Sequence, residues 1–245
     1  MRPQISLSGI TLKRSTAERD AFRELYGVVA TSADQVWNVT DNEVDFWLHG
    51  IVGDDYTQTD AGTFSKVLAQ NKGKTLNLYV NSPGGLAYDG VAMFNAIQAH
   101  QGRTIGIIDG LAGSAASLAI TACDTVKGYE TSKFHPHYSL CVAMGHANDI
   151  RDTLLQMEKL DADLERIYSA RTGLSISQVK THLIGPHGDG THFTATEAKS
   201  SGYIDDVIPM TTKRARNQTG EMVNYAERTK LSYVQALQRH YRSRD

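Results

Sequence analysis

The chain has 245 residues, 40% of them apolar, and a formal net charge of −2 from 25 basic and 27 acidic side chains. That is enough apolar material for one sizeable core with tails, and the near-neutral balance gives no reason to expect nucleic acid as a partner. No run of about 18 apolar residues exists to cross a bilayer, and Met1-Arg2-Pro3-Gln4 opens no signal peptide, so a cytoplasmic protein without membrane contact is expected.

Residues 1–35 are polar and mixed and read as an N-terminal arm with one short helix around 17–26. The folded unit is expected over 36–210. Within it, short apolar runs alternate with helical periods: a strand at 44–48, a helix at 59–70, a strand at 75–80 and a helix at 88–100. A strand at 104–108, a helix of small residues at 114–122 and a strand pair at 124–127 and 134–140 follow. This alternation predicts an α/β fold with a mostly parallel sheet and crossover helices. From 149 to 171 the spacing changes, because Ile150, Leu154, Met157, Leu160, Leu164, Ile167 and Tyr168 recur at three- and four-residue steps. One long amphipathic helix is expected there, ending where Gly173 offers a left-handed cap. Its apolar stripe suits packing on its own domain and packing on another subunit equally well. Residues 211–245 form a basic tail, with Lys213, Arg214, Arg216, Arg228, Lys230 and Arg239 among its cations, read as a solvated or subunit-contacting helix. The two cysteines, Cys123 and Cys141, are too few for a disulfide framework and each lies in an apolar stretch, so both read as reduced core thiols.

Two glycine-bearing turns carry the chemistry. Asn81-Ser82-Pro83-Gly84-Gly85-Leu86 follows one predicted strand and opens the next helix, where free amides can donate to an oxyanion. A phosphate loop would need Lys-Ser/Thr after the glycines, and Leu86-Ala87 supplies neither. Gly110-Leu111-Ala112-Gly113-Ser114-Ala115-Ala116-Ser117 repeats the arrangement one βα unit later, without the spacing of a dinucleotide fingerprint. Parallel crossovers bring successive strand ends to one edge of a sheet, so the turns should be neighbours. Ser114 would then lie beside the amides of Gly84 and Ala115, the geometry acyl transfer needs. The bland alternative makes Ser114 a helix cap, and for Ser117, a turn further into the helix, the bland reading is preferred.

A serine nucleophile needs a base. Of nine histidines, His135 and His137 follow the Ser114 helix, and strand alternation would put both on one face, so periodicity does not choose between them. The third group should be a carboxylate, and Asp189 sits on a loop after the long helix. His182, His187, Asp189 and His192 lie within eleven residues and raise a metal site as a rival, though without strong ligand spacing.

As a set these residues resemble the Clp peptidase family. Asn81-Ser82-Pro83-Gly84-Gly85 is similar to that family's oxyanion motif, Gly110-Leu111-Ala112-Gly113-Ser114 to its nucleophile motif, and 193–205 to its closing segment. The resemblance covers about residues 44–208 and implies a crotonase-like fold assembled as a ring of six or seven subunits, or a stacked double ring, joined by the long helix. It implies Ser114 as nucleophile, the Gly84 and Ala115 amides as oxyanion hole and His137 as base. Asp189 is the acid at the level of position, and a substrate strand pairs at Gly85 and Leu86. No cofactor is implied. The partners would be polypeptide substrates, capsid or scaffold proteins, or an ATP-driven unfoldase. The Gly-Leu-Ala-x-Ser-Ala-Ala-Ser form is shared with phage relatives that mature capsids. The pattern departs from the family where His135-Pro136 precedes the base, which keeps His135 in reserve. Three rivals stand beside this reading: an enoyl-CoA hydratase-like enzyme of the same fold, a serine–lysine dyad using Lys127 or Lys133, and a catalytically silent scaffold.

Overall fold

A computed structural model describes residues 36–54 and 58–210; the expected arm, its short helix and the basic tail lie outside the described residues. Strand β1 (Trp37–Val39) pairs antiparallel with β2 (Glu43–Val52). In β2 the alternation Val44, Phe46, Leu48 is buried, while Glu43, Asp45 and Trp47 face the other way. Helix α1 (Ala61–Gln70) starts where the Asp60 carboxylate accepts from the Thr63 amide, and it buries Phe64, Val67 and Leu68. Then come β3 (Thr75–Gly85), α2 (Ala87–Gln98), β4 (Thr104–Gly113), α3 (Ser114–Ile120), β5 (Thr125–Tyr129) and β6 (Lys133–His135). The long α4 (Ala147–Thr172), α5 (Ile176–Ile184), β7 (Phe193–Thr194), α6 (Ala195–Ser200) and β8 (Asp206–Ile208) complete the described chain.

The sheet runs β1-β2-β3-β4-β5-β8, with β6 beside β4 and β7 beside β6. Its pairs are parallel except β1 with β2 and β6 with β7. On its edge away from β3, strand β4 serves two partners: residues 105–108 pair with β5 and residues 111–113 with β6. This split delivers the chain leaving β6 to the end of β4, where α3 begins. The core includes Phe46, Phe64, Leu78, Met93, Leu118 and Phe134, each no more than 2% exposed, with Phe46 and Phe64 edge to face at 4.8 Å. Each such side chain stabilises the fold by about 1.5–3 kcal/mol through removal from water.

Several expectations need correction. The glycine motifs are not turns: β3 continues through Gly85 and β4 through Gly113, and a helix follows each almost directly. The strand expected over 134–140 ends at His135 because Pro136 has no N–H for a ladder. Beyond it Pro136 is buried and Tyr138 packs against the core, but Leu140, Val142 and Met144 are 83%, 101% and 96% exposed. Cys141 is therefore exposed rather than a core thiol, while Cys123 is buried. Helix α5, with its Ser175–Gln178 capping box, went unread in the sequence because its apolar stripe is short. The long helix does end at Gly173, in left-handed conformation (φ 73°, ψ 2°). Its second half buries Leu160, Leu164 and Tyr168, whereas Ile150, Leu154 and Leu155 in the first half are about half exposed. Among the described residues no helix is long and apolar enough to cross a membrane.

Candidate active site

The ends of β3 and β4 meet in the register Ser82 opposite Ala112. Gly84 adopts φ 105°, and a Cβ built there would stand 2.4 Å from the Ser114 Cβ and 3.0 Å from its Oγ. Only glycine lets the β3 backbone approach the serine so closely. Ser114, first residue of α3, itself has φ 50°, the left-handed region that costs an L-residue about 1–2 kcal/mol. The serine is half-buried and lines a small pocket together with Ala115 and His137, closed by Leu160, Leu164 and Tyr168 of α4.

His137 stands two residues beyond β6. Its Nδ1 donates to the Tyr138 carbonyl at 2.6 Å. A carbonyl only accepts, so the neutral ring carries its proton on Nδ1 and keeps a lone pair on Nε2, the form a general base requires. The segment after it is pinned to α4. The Tyr138 hydroxyl donates to Glu165 at 2.7 Å, and the Ser139 amide donates to Asp161 at 2.9 Å. Lys180 pairs with the other Glu165 oxygen at 3.4 Å. Burial, and next the bond to Glu165, push the Tyr138 phenol well above its ordinary range.

Asp189 is exposed, and its hydrogen bond is made by the main chain: its carbonyl accepts from His135 Nε2 at 2.8 Å. The loop nonetheless packs on the base, since a Cβ at Gly190 would stand 2.6 Å from the His137 Cβ. The loop is thus at His137, but the Nδ1 proton goes to Tyr138 and not to the Asp189 carboxylate. His135 stacks on His192 with ring centroids 3.5 Å apart and lies 5.2 Å from the His137 ring. Burial is the main cause holding its pKa below the ordinary imidazole value.

The amides expected to form the oxyanion hole are differently engaged. The Gly84 N–H donates to Ser82 Oγ at 3.0 Å, so it can serve an oxyanion only by sharing or releasing that bond. The Ala115 amide follows Ser114 directly at the start of α3. At the expected substrate edge, Gly85 pairs with Val52 of β2. The Leu86 amide is taken by the Val52 carbonyl at 2.9 Å, and the Leu86 carbonyl accepts from Gly90 at 3.1 Å. Neither polar group of Leu86 is idle.

The rival metal set does not converge. His182 Nδ1 is 3.0 Å from the Tyr203 hydroxyl, His192 stacks on His135, and no group of three or more potential ligands gathers among the described residues. Neither Lys127 nor Lys133 lines the pocket of Ser114. Ser117 is fully buried, whereas Ser114 is half-buried. Sequence reasoning missed Ser82, Tyr138, Tyr168 and His192 as parts of this neighbourhood. Tyr168 was visible only as one more apolar position of a helix, and nothing in its spacing signals the partner of its hydroxyl.

A sequence model of the Clp protease family matches residues 30–211. Two curated relatives, the ATP-dependent Clp protease proteolytic subunits of two strains of Bacteroides fragilis, are each 32% identical over 164 residues. That stretch is 62% of this chain and 76% and 71% of theirs. A match of this extent takes in the sheet, Ser114 and His137, and makes the chain a member of the Clp protease family.

Proposed function

We propose that the chain is a serine endopeptidase subunit in which Ser114 is the nucleophile and His137 the general base. The observation that carries the reading is the pocket shared by a strained, half-buried serine and a histidine whose Nδ1 proton is committed to a carbonyl. In this mechanism Ser114 Oγ attacks the scissile carbonyl as His137 Nε2 takes its proton. The amides of Gly84 and Ala115 receive the oxyanion, each such donor being worth about 3 kcal/mol of barrier. His137 then protonates the leaving amine, and water, deprotonated by the same nitrogen, hydrolyses the acyl-enzyme. Asp189 is the proposed acid, stabilising the imidazolium from its loop beside His137, while the Tyr138 carbonyl holds the resting tautomer. Gly85 and Leu86 border the proposed substrate strand.

The finer reading is a phage-type subunit acting in capsid maturation, supported by the Gly-Leu-Ala-x-Ser-Ala-Ala-Ser form of 110–117. A second reading, an ATP-dependent subunit fed by an unfoldase, is favoured by the names of the bacterial relatives. Mass spectrometry of the mature chain with its co-purifying partners separates them: scaffold or head proteins support the first, an ATPase the second. Both readings place the protein in a cytoplasm, in a homo-oligomeric ring built through α4, with the arm 1–35 and tail 211–245 outside the peptidase unit.

A fluorophosphonate probe tests the chemistry. Labelling should vanish in Ser114→Ala and persist, at a reduced rate, in Ser117→Ala. An assembled, folded wild type that takes no label is a silent scaffold. Asp189→Asn should slow acylation by at least about tenfold; wild-type rates in this variant would leave the orienting role to Tyr138 alone.

A further inference from the structure

We propose that Tyr168 and Ser117 act as positioning residues that aim the Ala115 amide at the oxyanion, through a hydrogen-bonded relay from the Tyr168 hydroxyl to Ser117 Oγ to the Ser114 carbonyl. The inference rests on Ser114 being the nucleophile. Ser117 Oγ is 2.6 Å from the Ser114 carbonyl and 2.8 Å from the Tyr168 hydroxyl. A carbonyl has no proton to give, so Ser117 donates to it and spends its only hydrogen. The Tyr168 hydroxyl must then be the donor to Ser117, which sets the direction of the whole relay. Ser117 and Tyr168 are 0% and 1% exposed, so water does not compete for either bond. Burial also raises the Tyr168 pKa, which keeps its proton in place.

A buried serine commonly bonds back to a carbonyl one turn earlier in its own helix. That habit explains the first bond and not the second, in which α4 brings a phenol 51 positions along the chain to the far side of the same hydroxyl. The consequence follows from peptide geometry. The Ser114 carbonyl and the Ala115 N–H belong to one planar trans unit and point in opposite directions, so a clamp on the oxygen fixes where the N–H points. Ser114 stands at φ 50°, where its own backbone preference does not hold that plane. Donation into the carbonyl also polarises the unit and strengthens the N–H as a donor.

The test measures kcat and KM for a peptide substrate, and the rate of fluorophosphonate labelling, in Tyr168→Phe, Ser117→Ala and the double variant, each shown to fold and assemble. Both single variants should lose roughly tenfold in kcat and labelling rate, part of what a whole oxyanion donor supplies. KM and the pH dependence should hold, and the double variant should be no worse than Ser117→Ala. Ser117→Thr, which keeps a hydroxyl, should recover most of the rate. Single variants within twofold of wild type, or losses shared by kcat, KM and assembled mass, overturn the relay while leaving Ser114 as nucleophile. Labelling that survives Ser114→Ala overturns the nucleophile itself and the relay with it.

Discussion

Gly84 and Ser114 occupy backbone conformations that are costly or closed to most residues, and each makes sense only in contact with the other. Gly84→Ala would put a methyl group 2.4 Å from the Ser114 Cβ at φ 105°. The expected result is a folded protein, destabilised by about 1–3 kcal/mol, whose fluorophosphonate labelling falls at least about a hundredfold; labelling at the wild-type rate would separate Gly84 from the chemistry. The cysteines should differ sharply. Burial pushes the Cys123 thiol up to about 12, while Cys141 is exposed, with its Sγ 3.0 Å from Met157 Sδ. On the folded, dissociated subunit iodoacetamide should modify Cys141 alone, and Cys123 only after unfolding, as peptide mapping would read, while assembly through the 140–155 surface should shield Cys141. The histidines set a pH dependence of stability. Burial lowers the pKa of folded His135, and that of His182, below the ordinary 6.5. Between the ordinary and lowered values the unfolded chain binds more protons, so stability falls as pH drops through that window and is insensitive to these rings above it. Melting temperatures measured from about pH 7 to 5 should show this fall, and His135→Gln should flatten it; an unchanged slope would contradict the assignment.

At the scale of elements, α4 joins functions that lie far apart in sequence. Its Glu165 and Asp161 hold the segment following His137, and its Tyr168 reaches Ser117. The base therefore depends on a helix it does not belong to. Tyr138→Phe removes the bond to Glu165 and leaves the Tyr138 carbonyl in place. Its kcat should fall about three- to tenfold, with a stability loss of about 1 kcal/mol; a change in stability alone would make the bond purely structural. The end of α4 offers a cleaner conformational test. A Cβ at Gly173 meets nothing within 4 Å, so Gly173→Ala is opposed only by the left-handed backbone and should cost about 1 kcal/mol. A lower urea midpoint at unchanged slope is the expected signature. The shortness of β6 also has a function: by ending at His135, it frees the following residues from the ladder and lets His137 turn into the pocket.

For the whole molecule, the apolar surface left open between 140 and 155 is the feature that the described fold does not satisfy by itself. Leu140, Val142 and Met144 are almost entirely exposed, and Ile150, Leu154 and Leu155 about half so. Surfaces of this kind mark association sites, which agrees with the proposed ring or double ring built through α4. Val142→Asp combined with Leu154→Glu should lower the assembled mass in light scattering while leaving the circular dichroism of the folded subunit unchanged. An assembly of wild-type mass would move the subunit contacts to another face.

The fold class was legible in the sequence because it rests on local regularity, and the proposed nucleophile was singled out by a local pattern too. Period-two apolar runs such as Val44, Phe46 and Leu48 report a strand, the three- and four-residue steps to Tyr168 report a helix, and small residues around Ser114 report a close approach of backbones. What the tertiary structure alone decided is which atoms meet, whether their residues are neighbours or far apart along the chain. The Tyr138 carbonyl holds His137, the Asp189 carbonyl accepts from His135, Ser82 takes the Gly84 amide, and the Tyr168 hydroxyl reaches Ser117 from 51 positions away. Hydrogen bonds are directional over about 3 Å, and periodicity says which face a residue occupies, not which atom on another element it meets. The same limit explains the misreading of Cys141, whose apolar neighbours suggested a core although nothing in the described fold covers them.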